Sequence, residues 1–176
     1  MRHILVEITC RGCAYHTHVK SHTLVKPQLE PSLKERILQG TMFTYECPRC
    51  HSSVSFIHNF LYHDSERKVL VAMDLSEKAL GALREQLPDS RLYTVKNPRQ
   101  LSEAVKTAED QLVLEVIEFL KKQLKKQDNE IQEVIYHDYD DENQMLWFTC
   151  RYKNHEEYKA VPYTAYEQIK QKGRDR

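Results

Sequence analysis

The sequence predicts an α+β fold, and three patterns in it carry that prediction. Short stretches of alternating apolar and polar residues fill most of the first 75 residues and return after residue 130. Between them Leu101, Val105, Ala108, Leu112, Val116, Leu120 and Leu124 recur at spacings of three and four, as one face of a helix does. Two Cys-x-x-Cys units, Cys10-Arg11-Gly12-Cys13 and Cys47-Pro48-Arg49-Cys50, each follow a strand-like stretch.

The elements follow in order. Residues 2–9 read as a strand with Ile4, Val6 and Ile8 on one face, and residues 14–25 as a second, alternating Tyr15, Thr17 and Val19 against His16, His18 and Lys20. Pro27 and Pro31 mark a turn. Residues 32–39 predict a short helix with Leu33, Ile37 and Leu38 inward, ended by Gly40 just past its last turn. Residues 42–46 return as a strand into the second cysteine pair; residues 54–63 and 68–75 are two more, joined by the polar turn at 64–67. Asp74 or Ser76 caps a helix over 77–86, and residues 91–95 form a short strand. A helical stretch then runs from Pro98 to about residue 126, with a break expected near 107–110. Its apolar stripe is read as a core-packing face, with a coiled-coil dimer as the alternative. Residues 131–139 and 144–153 read as a hairpin turning through 140–143, followed by a strand at 158–161 and a final helix from Pro162 or Tyr163 that frays toward residue 174. The expected organisation is a domain over 1–126 and an α+β C-terminal extension over 127–176.

Composition narrows the function. The chain has 176 residues, and its 26 Lys and Arg balance 26 Asp and Glu, so whole-molecule charge attracts neither nucleic acid nor anionic membrane. No apolar run approaches the ~18–20 residues of a membrane-spanning helix, and the N-terminal apolar run stops at Glu7. A cytoplasmic location is expected, where paired cysteines are metal ligands more readily than disulfides. Cys150 reads as a lone buried thiol. The basic run at 121–126 and the acidic run at 138–142 read as solvated faces and turns.

Each Cys-x-x-Cys turn brings two sulfurs to the same side of a tight loop, and two such turns at strand ends complete a tetrahedral set. Cys10, Cys13, Cys47 and Cys50 are therefore the expected ligands of one structural Zn²⁺, in a zinc-ribbon-like antiparallel sheet with the 32–39 helix inserted. The 33 residues between Cys13 and Cys47 exceed the compact ribbon spacing, but loop-closure cost grows only logarithmically and adds under ~1 kcal/mol. Four thiolates close the coordination sphere, so a scaffold is expected rather than a catalytic metal, and no catalytic residues are predicted. Thiol redox chemistry is the competing reading. Its Cys-x-x-Cys motif normally opens a helix that depresses the thiol pKa, and neither pair here does. A zinc-gated redox switch stays open. His16, His18 and His22 share one face and could build a second metal site, and His51 directly follows a ligand; the plainer expectation is exposed strand histidines, with His51 donating near the thiolates. His58 and His63 fall among aromatic strand residues.

The residues around the knuckles resemble the CpXC domain proteins, a bacterial and archaeal family. The stretch from Glu30 through Pro31, Leu33 and Ile37 to Gly40 is similar to that family's inserted helix, and Phe43-Thr44-Tyr45-Glu46-Cys47-Pro48-Arg49-Cys50 to its second knuckle. Leu61-Tyr62-His63-Asp64 with Lys68 resembles its next block, and a looser similarity runs on to residue 126. Two features depart from the pattern. The first knuckle lacks the proline of the family's name, and Ala14 and His51 stand where many zinc knuckles carry a glycine, with Gly12 expected to relieve the first turn. The resemblance implies a zinc-binding domain and supplies no activity.

The expected role is a non-enzymatic interaction module with a protein partner. Residues 1–75 hold nine Lys and Arg against seven Asp and Glu, short of the basic surface nucleic acid asks for. Single-stranded nucleic-acid binding through Arg11, Arg49, Tyr15 and Phe56 is the alternative, and an enzyme using the His16/His18/His22 face is a third.

Overall fold

Alternation at the N-terminus produces β1 (His3–Thr9), which pairs antiparallel with β2 (His16–His22) so that Thr9 faces His16 and Val6 faces Val19. The computed structural model describes residues 3–174, so Arg2 of the expected first strand lies outside the described residues. The chain divides into two compact units between Val105 and Lys106.

In the N-terminal unit a second hairpin, β4 (Thr44–Glu46) with β5 (Ser53–Ser55), matches the first in having a knuckle at its tip. A four-stranded sheet in the order β3 (Leu24–Val25), β6 (Phe60–Asp64), β7 (Val69–Met73), β8 (Arg91–Val95) supplies the unit's core. β7 is buried at every position, so both faces of this strand are covered, and both its edges are paired, to β6 antiparallel and to β8 parallel. The parallel step needs a crossover, provided by α2 (Glu77–Gln86). Of the two candidate caps Ser76 is the one used; its Oγ accepts from the Ala79 N–H at 3.3 Å. α1 (Pro31–Leu38) fills the long gap between the knuckles. It ends as expected at Gly40, with φ +71°, where Gly40 N–H donates to the Ile37 carbonyl and Thr41 N–H to that of Arg36.

The single strand expected over 54–63 is two strands in different sheets. β5 ends at Ser55 and β6 begins at Phe60, and the link between them is anchored by a buried side chain. His58 Nε2 lies 2.8 Å from Ser21 Oγ and its Nδ1 2.9 Å from the Asn59 carbonyl oxygen. The carbonyl can only accept, so a neutral ring carries its proton on Nδ1 and accepts from the Ser21 hydroxyl at Nε2. Phe43, Phe56 and Phe60 surround it. The polar turn after β6 is likewise built from inside. Fully buried Asp64 accepts from the N–H groups of Glu66 and Arg67, from Gln28 Nε2 at 2.7 Å and from Arg67 Nη1 at 3.0 Å. Burial alone would raise its pKa; the bonds from Arg67 and Gln28 outweigh that and hold the carboxyl below its usual range.

The helical stretch after Pro98 is two helices, α3 (Pro98–Glu109) and α4 (Leu114–Gln127). Gln111 takes the left-handed conformation, φ 56°, and its N–H and that of Leu112 close back on Ala108 and Thr107, which ends α3 as a glycine would. Val116, Ile117, Leu120 and Leu124 of α4 pack in one core with Val134, Tyr136, Leu146, Phe148, Cys150 and Tyr166. That packing puts α4 with the C-terminal sheet, so the division falls earlier than the expected 126/127, and the apolar stripe of α4 is covered within its own chain. The sheet has the order β11 (Glu156–Pro162), β10 (Met145–Arg151), β9 (Glu133–Asp140), all antiparallel, and α5 runs Tyr163–Arg174 without fraying early. Cys150 is buried in this core and burial pushes its thiol pKa up. Among the described residues no helix is long and apolar enough to cross a membrane.

Candidate metal centre

Both knuckles are built by the same backbone geometry. In the first, Cys10 N–H donates to the Tyr15 carbonyl at 2.8 Å and Ala14 N–H to that of Cys10 at 2.9 Å. In the second, Cys47 N–H donates to the Ser52 carbonyl at 3.0 Å and His51 N–H to that of Cys47 at 2.9 Å. Closing the loop this way forces the residue after the second cysteine into the left-handed region: Ala14 and His51 both have φ 55°. The conformation costs a side-chain-bearing residue about 1–2 kcal/mol. These are the two positions at which many zinc knuckles carry a glycine. Gly12 does not relieve the turn, since Ala14 is the residue with positive φ in that loop. Its role is space: a Cβ there would sit 2.9 Å from Ser52 Oγ and 3.4 Å from Cys50 Sγ.

The four sulfurs of Cys10, Cys13, Cys47 and Cys50 lie within 4.8 Å of one another. The contacts run between knuckles, Cys10 to Cys50 at 3.5 Å and Cys13 to Cys47 at 3.6 Å. All four are free thiols. A tetrahedral ion with metal–sulfur bonds of ~2.3 Å places its sulfurs ~3.8 Å apart, so the spacing fits one ion held by both knuckles. Cys10 and Cys47 are buried, Cys13 is half-buried and Cys50 is exposed.

The surroundings treat the sulfurs unequally. The Ser52 hydroxyl lies 3.3 Å from the Cys50 sulfur; together with the Ser52 backbone N–H and the neighbouring sulfurs it lowers the Cys50 pKa to about 6. For Cys47 burial works upward, but the backbone N–H groups of Arg49 and Cys50 prevail and lower it. The Tyr15 amide acts to lower Cys13, yet burial and the three other sulfurs push it up to about 12. Amides and hydroxyls aimed at sulfur favour the thiolate, the form that binds metal. Arg49 lies over the Tyr15 ring, 5.4 Å from its centroid, and joins the second knuckle to the strand leaving the first. Ser52 escaped the sequence reading. Its only local signal is a hydroxyl two residues past a ligand.

The histidines do not converge. His16 Nε2 pairs with Glu7 at 2.6 Å, its ring stands 5.8 Å from that of His18, and His22 meets His3 at 4.3 Å. His51 Nδ1 is 2.8 Å from Glu46 Oε1, so it bonds a carboxylate rather than the thiolates. Among the described residues, the four cysteines are the group of His, Cys, Asp and Glu side chains close enough to share one ion.

The CpXC protein family model matches residues 8–136, which takes in both knuckles, α1 to α4 and the start of β9. The chain belongs to the CpXC family. Neither the curated proteins nor the solved structures compared with it include a match. In this CpXC protein the proline of the name stands at Pro48 alone, and the first knuckle closes with the same hydrogen bonds without it. The family match ends ten residues beyond the expected domain limit of 126, inside β9.

Proposed function

We propose that Cys10, Cys13, Cys47 and Cys50 hold one structural zinc ion, and that the chain is a non-enzymatic, cytoplasmic protein-interaction module built on a zinc ribbon. The observation that carries this reading is the closed set of four thiols, all within 4.8 Å and drawn from two facing knuckles. Soft thiolates at tetrahedral corners suit zinc. No fifth donor or open corner is needed, which supports a scaffold over a Lewis-acid catalyst. Bound there, zinc supplies a cross-link between the hairpins, with apparent free energies of ~10–16 kcal/mol in small domains of this kind. The chain's own groups do the rest: the knuckle amides favour the thiolates, Ser52 orients Cys50, and Arg49 on Tyr15 braces the two loops. A protein partner is supported by the near balance of charge and by Glu7 and Glu46, which pair with His16 and His51 beside the knuckles. Arg49 and Tyr15, candidates for contacting nucleic acid, engage each other.

The exposure of Cys50, alone among the four sulfurs, supports one second reading, a zinc-gated thiol switch. Affinity purification of the intact chain beside Cys47→Ser, with metal content measured on both, tests the first. One zinc per chain is expected, lost with the captured partners in the variant. A variant that kept zinc, fold and partners would overturn the ligand set, and iron in place of zinc would overturn the metal. Stoichiometric zinc release by dilute peroxide with two thiols oxidised would establish the switch.

A further inference from the structure

The C-terminal unit carries a groove of about 630 Å³ on its three-stranded sheet. Leu146 and Phe148 of β10 point into the core with α4 and α5, so Trp147 between them faces the opposite side. The register of β9 on β10 slips there: Phe148 faces Tyr136 while Trp147 faces Asp138, leaving His137 as a bulge residue. The His137 ring meets Tyr158 of β11 at 5.0 Å between centroids. Since β9 and β11 flank β10, that contact spans the outer face. Tyr158 is 62 % exposed although nothing in its position requires an aromatic ring in water.

The aromatic wall is pre-set by the turn beside it. Asp140 accepts from Asn143 N–H at 3.0 Å and from its Nδ2 at 2.7 Å, and also from the Trp147 indole N–H. Asp138, Asp141 and Glu142 line the same groove, and among the described residues no lysine or arginine does. Lys106 reaches Asp138 from the side at 2.8 Å and leaves Asp141 and Glu142 exposed. Carboxylates repel phosphate, which excludes nucleic acid. They do not gather round one point as metal ligands do. Asp141 Oδ1 accepts from Tyr139 Oη and Gln144 Nε2, neutral donors that leave its charge and that of Glu142 without a cation among the described residues. Aromatic faces beside such carboxylates suit an organic cation, and a planar guanidinium suits them best because it stacks and forks at once.

We propose that this groove binds an arginine side chain in a basic segment of a partner protein, stacked on Trp147 and Tyr158 and paired to Asp141 and Glu142. The inference rests on the reading of the chain as a protein-interaction module and gives its partner a charge. Trp147 is the single tryptophan of the chain, so its emission reports the groove directly. The full chain is titrated with acetylated hexa-arginine, hexa-lysine, hexa-glutamate and an oligo-dT. Hexa-arginine is expected to change the emission saturably, several-fold more tightly than hexa-lysine, and to weaken at 0.5 M salt (assay concentration) on the order of tenfold. Tyr158→Ala should weaken it about fivefold and the double change Asp141→Asn, Glu142→Gln about tenfold. Glu85→Gln with Asp89→Asn, in the N-terminal unit, should leave it unchanged. An unsaturable response, equal binding of hexa-lysine or oligo-dT, or indifference to the groove variants would overturn the proposal. If hexa-arginine fails while the intact chain still captures a zinc-dependent partner, this inference alone falls. If it binds while no partner is captured, the module reading falls and the groove stands.

Discussion

Gly12→Ala puts the packing between the knuckles to a direct test. The new methyl would lie 2.9 Å from Ser52 Oγ, inside any normal contact, and 3.4 Å from Cys50 Sγ. The backbone there is tied by the Cys10–Tyr15 and Ala14–Cys10 hydrogen bonds, so the Ser52 hydroxyl is the part that must swing away. Moving it breaks the 3.3 Å contact between the hydroxyl and the Cys50 sulfur. Metal affinity should fall about 10- to 100-fold, as when other outer partners of metal ligands are removed. Competition for zinc against a chromophoric chelator measures this. Ser52→Ala should cost a similar amount by itself. In the Ser52→Ala background, Gly12→Ala meets Cys50 Sγ at 3.4 Å and the Ser52 Cβ position at 3.7 Å, both ordinary contact. The two changes should therefore be far from additive. Full additivity, with Gly12→Ala costing as much without the hydroxyl as with it, would refute the reasoning.

Three further outcomes are expected. Ala14→Gly and His51→Gly relieve left-handed backbone at φ 55° and should each stabilise the metal-loaded chain by about 0.5–1 kcal/mol in chemical denaturation. Asp64→Asn removes a buried carboxylate held by Arg67 and Gln28 and should cost about 2–3 kcal/mol at pH 7 (assay condition). Because the folded pKa of Asp64 is depressed, its contribution is present above the unfolded value of about 3.9 and is lost as pH falls through the folded pKa, so the gap to wild type should close in acid. Tyr166→Phe strands the Val113 N–H that its hydroxyl now accepts at 2.9 Å, and should lower the stability of the C-terminal unit by about 1–2 kcal/mol, read by circular dichroism.

Local chemistry made much of the fold legible. Ser76 and the apolar spacing after it marked α2 at its true limits of 77 and 86, Gly40 ended α1, and the strand over 91–95 matched β8. These signals act between residues a few positions apart, where propensity and capping decide. The break between α3 and α4 was harder to place because Gln111, not glycine, takes the left-handed turn. The acidic run at 138–142 read as a solvated turn. Its turn is real, and the same residues also line a groove that exists only because β10 and β11 bring Trp147 and Tyr158 beside them.

By itself the sequence determined that this is an α+β protein with four cysteines in two metal-type knuckles, because residue type and close spacing suffice for both. Tertiary structure decided what depends on groups brought together from far apart. Ser21 and His58, 37 positions apart, split one apolar run into β5 and β6. Gly12 and Ser52 meet across the knuckles and govern how Cys50 is held. The packing of α4 on the C-terminal sheet moved the division of the chain to Val105/Lys106. No local propensity encodes such contacts, since the energy that selects them is the burial and pairing gained only after the chain has closed.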